Sequence, residues 1–289
     1  MILVDDAALD LTELAGDDIA GILGVGAFGA YVIEIDYRRR VIRLTPPERF
    51  RPPRRAARVP LVRRAGKSYV TLDTRVHGAY RDSLRFLLDT GAALEALVYA
   101  APADSTIYPP RVVAGVIGHG LGGSLAGFVG RSDTLYTPGR PLADVVTHFQ
   151  VLPEGAPETP VAYREGIIGN GLLRHFELAI DAPGGYAYFT PRSKPPKAKP
   201  YDRSGLTLVD EPERRGAARV QFVSPDTPAS EAGLRAGDRV RKIDGVPARL
   251  LSTARIRRLL RRAPGNTVRL RVERAGREFE TVLVLRDLI

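Results

Sequence analysis

Gly166-Ile-Ile-Gly-Asn-Gly-Leu-Leu173 and Gly21-Ile-Leu-Gly-Val-Gly-Ala-Phe28 are two copies of one pattern, 145 residues apart and aligned without a gap. The offset persists downstream, where Ile35-Asp36 falls on Ile180-Asp181 and Thr45-Pro46 falls on Thr190-Pro191. Each copy is a glycine-punctuated turn followed by two short stretches that alternate in polarity, which reads as a β-hairpin. Self-similarity at a fixed offset means related structural units. The chain is therefore expected to hold the ends of two lobes.

Around the repeat, most apolar runs are short and bounded by Gly, Pro or Asp, as at residues 31–35, 69–72, 84–88 and 176–180. The expected fold class is mainly β. Two proline-rich basic stretches, 46–60 and 191–200, read as linkers, because proline cannot donate to a sheet ladder.

Composition narrows the chemistry. At 289 residues with 44% apolar side chains, the chain can bury about two cores. Without cysteine, disulfides and thiol catalysis are excluded. The four histidines, His77, His119, His148 and His175, lie far apart and lack ligand spacing, so a zinc site is not expected. The net charge of +10 favours acidic partners. However, the arginine clusters at 38–40, 49–64 and 255–262 carry no interleaved aromatics and no nucleic-acid motif. They read as compositional bias, and nucleic acid is not an expected partner.

No apolar run reaches the roughly 20 residues of a membrane helix. The acidic start Met1-Ile-Leu-Val-Asp-Asp-Ala7 is not a signal peptide. As written the chain reads as cytoplasmic; a start further upstream would make it periplasmic or secreted.

The repeat is preceded by Phe86-Leu-Leu-Asp-Thr-Gly-Ala92, an apolar strand that delivers Asp89 into a turn where Gly91 permits tight backbone geometry. The bland alternative is an aspartate capping its own loop. Leu-Leu-Asp-Thr-Gly-Ala resembles the active-site loop of pepsins and retropepsins. Gly166-Ile-Ile-Gly169 resembles the segment behind that loop, and Gly123-Ser-Leu-Ala-Gly-Phe-Val-Gly130 resembles the flap hairpin. The flap tyrosine of pepsins is absent, and His119 and Gly120 stand in that neighbourhood.

The resemblance implies an aspartic endopeptidase needing no cofactor, acting on peptide or protein substrates through a water activated by paired carboxylates. Aspartic proteases are a standard example of two adjacent carboxylates sharing one proton. It assigns Asp89, Thr90 and Gly91 to catalysis, with His119, Gly120, Gly122, Gly123 and Ser124 as flap and substrate contacts. Only one Asp-Thr-Gly is present, and the repeat offset places its counterpart upstream of Met1. Three readings stay open: a start further upstream, a homodimer supplying the second aspartate, or an inactive chain.

From Gly205 the texture changes. Ser224-Pro-Asp-Thr-Pro-Ala-Ser-Glu-Ala-Gly-Leu-Arg-Ala-Gly-Asp238 is followed by Ile243-Asp-Gly245. A helix is expected from a Ser252 N-cap, with Ile256, Leu259 and Leu260 on one face and an end before Pro264-Gly265. Two strands then join through Ala275-Gly276. This series resembles a bacterial PDZ domain. The resemblance makes Gly205, Leu206, Thr207 and Leu208 the loop and strand edge that receive a peptide's C-terminal carboxylate, the peptide lying as an added strand.

Two other motifs fail on context. Gly118-His-Gly-Leu-Gly-Gly123 fits a dinucleotide fingerprint, yet Gly127, Gly130, Pro138, Gly139 and Pro141 forbid the helix it requires. Ser124 lacks the second glycine and the strand–turn–helix of a nucleophile elbow. The expected organisation is a remnant of a first lobe over 1–52, an acid-protease lobe over 59–192, a basic linker over 193–204 and a PDZ domain over 205–289. The alternative function is a catalytically inactive, protease-like scaffold that binds peptides through its PDZ domain.

Overall fold

The computed structural model describes residues 24–78, 80–100, 107–120, 123–151, 165–192, 198, 200–210 and 218–289. They form two compact units. One contains the described residues of Leu23–Pro110 and Gly130–Lys199, the other those of Arg111–Val129 and Pro200–Ile289. This division departs from the continuous lobe expected over 59–192, because 111–129 cluster with the C-terminal residues.

The strands begin with β1 (Val32–Asp36), β2 (Val41–Thr45), β3 (Ala57–Pro60) and β4 (Val62–Arg64). The long pair β5 (Lys67–His77) and β6 (Tyr80–Asp89) follows, then β7 (Ala96–Ala100), β8 (Val112–Gly120), β9 (Gly123–Leu135) and β10 (Leu142–Val151). A short β11 (Gly166–Gly169) runs into the one-turn helix α1 (Asn170–Leu173) and the hairpin β12 (Phe176–Asp181) and β13 (Tyr186–Pro191). The C-terminal region adds β14 (Leu206–Asp210), β15 (Ala218–Val223), α2 (Pro228–Glu231), β16 (Arg239–Ile243) and β17 (Val246–Pro247). It closes with α3 (Thr253–Leu260), β18 (Thr267–Arg274) and β19 (Arg277–Val284). The mainly β expectation holds.

The two hairpins of the repeat are built into one sheet of order β2-β1-β12-β13-β3, whereas Gly166–Gly169 is β11 of the second sheet and residues 21–23 lie outside the described residues. β1 and β12 pair antiparallel with Glu34 opposite Ala179 at the centre of the register. Those two residues are also 145 apart, so equivalent residues of the two copies face each other across a local two-fold axis. The turns match as well. Asp36 accepts the Arg38 and Arg39 N–H groups at 2.9 and 3.1 Å, and Asp181 accepts that of Gly184 at 2.8 Å. These are Asx-type turns that fix each hairpin.

The linker reading of 46–60 is corrected here. Phe50 is buried edge-on against Tyr188, and β3 pairs with β13 from Ala57↔Phe189 to Pro60↔Tyr186. Proline is tolerated there because β3 is an edge strand.

A second sheet of the same unit runs β4-β5-β6-β11-β7-β10-β9, and β9 pairs in turn with β8. On β5, Val70, Leu72, Thr74 and Val76 are buried while Thr71 and Asp73 face solvent, the period-two pattern of a half-buried strand. Phe86, Phe149, Phe176 and Phe189 are fully buried.

The C-terminal unit has its own sheet, β14-β15-β16-β18-β19, with β17 on β16. Its core gathers Val220, Val240, Ile243, Ile256, Val268, Leu270, Val272 and Leu283. α3 starts where expected, the Ser252 hydroxyl accepting the Arg255 N–H. Ala275 and Gly276 both take positive φ, at 48° and 78°, as a two-residue hairpin turn of this twist demands.

Candidate functional site

Two places gather the residues singled out above: the loop after β6 and a groove beside β14.

β11 runs parallel to β6 in register from Gly166↔Phe86 to Gly169↔Asp89. Asp89 ends its strand half-exposed, and its Oδ1 accepts the N–H groups of Gly91 at 3.0 Å and Ala92 at 3.2 Å. The start of α1 fastens the loop from behind. Asn170 donates its N–H to the Ala92 carbonyl at 2.7 Å and its Nδ2 to the Thr90 carbonyl at 2.6 Å, while the Gly171 N–H reaches the Leu94 carbonyl at 2.9 Å. Such close backbone approach leaves no room for side chains: a Cβ on Gly169 would lie 2.4 Å from the Leu94 oxygen and 2.7 Å from that of Ala92. Gly169 and Gly171 are there because the loop packs on them, and Gly166 because a Cβ would lie 2.5 Å from the Leu97 oxygen and from the Phe86 ring.

Asn170 is itself held by the Tyr37 hydroxyl, which donates to its Oδ1 at 2.6 Å. Burial pushes the Tyr37 phenol up to about 12 from 10.0. Since the folded value lies above the unfolded one, this contribution to stability is intact below pH 10 and lost as pH rises through about 12. An ultraviolet absorbance titration should show Tyr37 ionising after the exposed tyrosines, and Tyr37→Phe should shrink that late step, which Tyr201 shares.

The flap residues fall in the other compact unit. His119 and Gly120 end β8, and Gly123 and Ser124 open β9, while Gly122 lies outside the described residues. Among the described residues no cluster of three metal-ligating side chains gathers, and no helix is long and apolar enough to cross a membrane.

The groove of the C-terminal unit lies between β14 and α3. Leu206, Thr207 and Leu208 form one wall, Ile256, Arg257, Leu260 and Arg261 the other, and Tyr201 and Asp202 join them beside the start of β14. Among the described strands β14 has one neighbour, β15, and its other edge is open. Gly205 turns into the strand with φ of 79°, and a Cβ there would lie 2.1 Å from Thr227 Oγ1. No other residue fits.

The amides at this turn are already engaged. Asp202 Oδ1 accepts the Ser204 N–H, the Ser204 hydroxyl and the Gly205 N–H at 2.9, 2.8 and 2.8 Å. The Leu206 N–H donates to Ser204 Oγ at 3.1 Å. Burial nonetheless holds the Asp202 carboxyl above its usual range, the hydrogen bonds opposing that shift. Burial likewise pushes the Tyr201 phenol up to about 12. Tyr201 and Asp202 thus line the groove rather than a free linker; of the linker expected over 193–204, residues 193–197 and 199 lie outside the described residues. The readable signal was Asp202-Arg-Ser-Gly205, an Asx-turn sequence just ahead of a strand.

A model of the PDZ domain family matches residues 220–274. The chain contains a PDZ domain. Over 65 residues it is 40% identical to the Regulator of sigma-E protease RseP of Escherichia coli (strain K12), covering 22% of this chain and 14% of that protein. The HtrA3 PDZ domain bound to a phage-derived ligand is 18% identical, with 29% of this chain and 85% of that one covered and a TM-score of 0.26. A serine endoprotease from Yersinia pestis is 17% identical over 82% of this chain and 96% of that one, with a TM-score of 0.29. The HtrA-type protease AlgW with tripeptide is 15% identical over 79% and 91%, with a TM-score of 0.27.

These comparisons overturn the aspartic-type endopeptidase expectation, since the protease chains they bring up are a serine endoprotease and an HtrA-type protease. The physical reason is visible in the loop. One oxygen of Asp89 is held by its own loop's amides, and the geometry among the described residues does not supply the second carboxylate that the expected chemistry needs.

Proposed function

We propose that this chain is a peptide-binding protein of a proteolytic system, whose PDZ groove captures an extended segment of another polypeptide as an added strand on β14. The open edge of β14 facing α3 across an apolar floor carries this reading. Backbone hydrogen bonds to such an edge supply affinity irrespective of side chains, and the wall of the helix supplies selectivity. An unprotected edge strand is otherwise an aggregation hazard, so its persistence beside a groove favours a partner. The relation of this region to the Regulator of sigma-E protease RseP supports the proteolytic setting.

In this reading the N-terminal unit is a protease-like scaffold. The parallel β6–β11 pair behind the Asp89 loop and the two-fold hairpin sheet support its kinship in fold to an acid-protease lobe.

Fluorescence polarisation of a labelled, strand-forming peptide on the full chain tests the binding. Thr207→Pro removes a backbone donor and bends the edge, so it should weaken binding at least about tenfold while circular dichroism stays native. Equal affinity in a folded Thr207→Pro protein would sink the reading.

A further inference from the structure

We infer that the groove selects acidic side chains on alternate residues of an internal strand and rejects a free C-terminal carboxylate. The inference rests on the strand-addition reading above and specifies its ligand.

The first observation is at the turn before β14. A terminal carboxylate would need free backbone N–H groups there, but those of Gly205 and Leu206 are bonded to Asp202 Oδ1 and Ser204 Oγ. Three donors already converge on that one carboxylate oxygen. An incoming carboxylate would meet occupied donors and a like charge. Asp202 fills the place of the peptide's own terminus.

The second observation is on the opposite wall. Ile256 and Leu260 are buried and form the floor, whereas Arg257 and Arg261 are exposed at its rim. Among the described residues neither guanidinium is hydrogen-bonded to a carboxylate, unlike Arg203, Arg262, Arg271, Arg274 and Arg286 of the same unit, although Arg261 also attracts the Asp202 carboxyl without a hydrogen bond. The two stand four residues apart, about 6 Å along a helix. Side chains on one face of an extended strand repeat every two residues, about 6.6 to 6.8 Å. The spacings match, so carboxylates at positions i and i+2 of an added strand can each meet one arginine.

The test uses three labelled nonapeptides of one strand-forming sequence on the full chain. The first is N-acetylated and C-amidated with glutamate at two alternate positions; the second carries glutamine there; the third is the glutamine peptide with a free C-terminus. The acidic peptide should bind about fivefold tighter than its glutamine twin, as two partly solvated ion pairs allow. The preference should fade with added salt and vanish in Arg257→Gln/Arg261→Gln. Freeing the C-terminus should add nothing in the native chain and gain affinity in Asp202→Ala, with thermal melting reporting that the variant stays folded. Equal binding of glutamate and glutamine peptides, or a clear preference for the free C-terminus, would overturn the inference and leave strand addition standing. If none of the three binds, the strand-addition reading itself fails.

Discussion

Gly169→Ala is expected to cost the N-terminal unit at least about 3 kcal/mol, the upper range for forcing extra volume into packed structure. The added methyl would sit 2.4 Å from the Leu94 oxygen and 2.7 Å from the Ala92 oxygen. Both obstacles are backbone atoms of the Asp89 loop, so a rotamer change cannot relieve the clash. Either β11 shifts from its register with Asp89, or the loop breaks the Asn170 N–H bond to the Ala92 carbonyl. Gly24 is the control, because a Cβ there meets nothing within 4 Å. In a denaturant titration followed by circular dichroism, Gly169→Ala should lower the midpoint of one transition and leave that of the C-terminal unit in place. Equal midpoints for Gly169→Ala and Gly24→Ala would show that the loop does not pack as described.

Arg274→Met should destabilise the PDZ domain by about 3 kcal/mol, for a different reason. The Asp238 side chain is 1% exposed, and Arg274 meets both of its oxygens at 2.7 Å from Nε and Nη2. A further bond comes from the Arg235 N–H at 2.9 Å. Methionine keeps much of the stem's packing but leaves a buried carboxylate with one donor. That charge is costly without its partner. Adding Asp238→Asn to Arg274→Met should restore part of the loss, since the uncompensated charge disappears. If the double variant is no more stable than the single one in thermal melts, packing rather than the buried charge sets the penalty.

Sequence reading reached what local chemistry determines. The repeat was visible because hairpins of the same length need the same Asp turn and the same alternation; Asp36 and Asp181 do the same work at positions 145 apart. The Ser252 cap, the apolar face of α3 and the Ala275-Gly276 turn were legible for the same reason. Strand β3 was not, since a proline-rich edge strand owes its existence to β13, more than a hundred residues later. Asp202 was missed although its three donors come from its own turn, because its place beside β14 and α3 is set by the fold. The Asp89 loop shows the converse case. Its geometry was readable from Asp-Thr-Gly and Gly-Ile-Ile-Gly, but a reaction was inferred from one half of a carboxylate pair. A motif fixes a turn more securely than it fixes a chemistry.

Hydrogen exchange on the full chain, with and without the amidated acidic peptide at saturation, bears most directly on capture at the β14 edge. Residues 206–210 should exchange at least about tenfold more slowly in the complex, as amides do when a strand edge gains a partner. Binding that leaves 206–210 as exposed as before would place the peptide elsewhere and contradict the account.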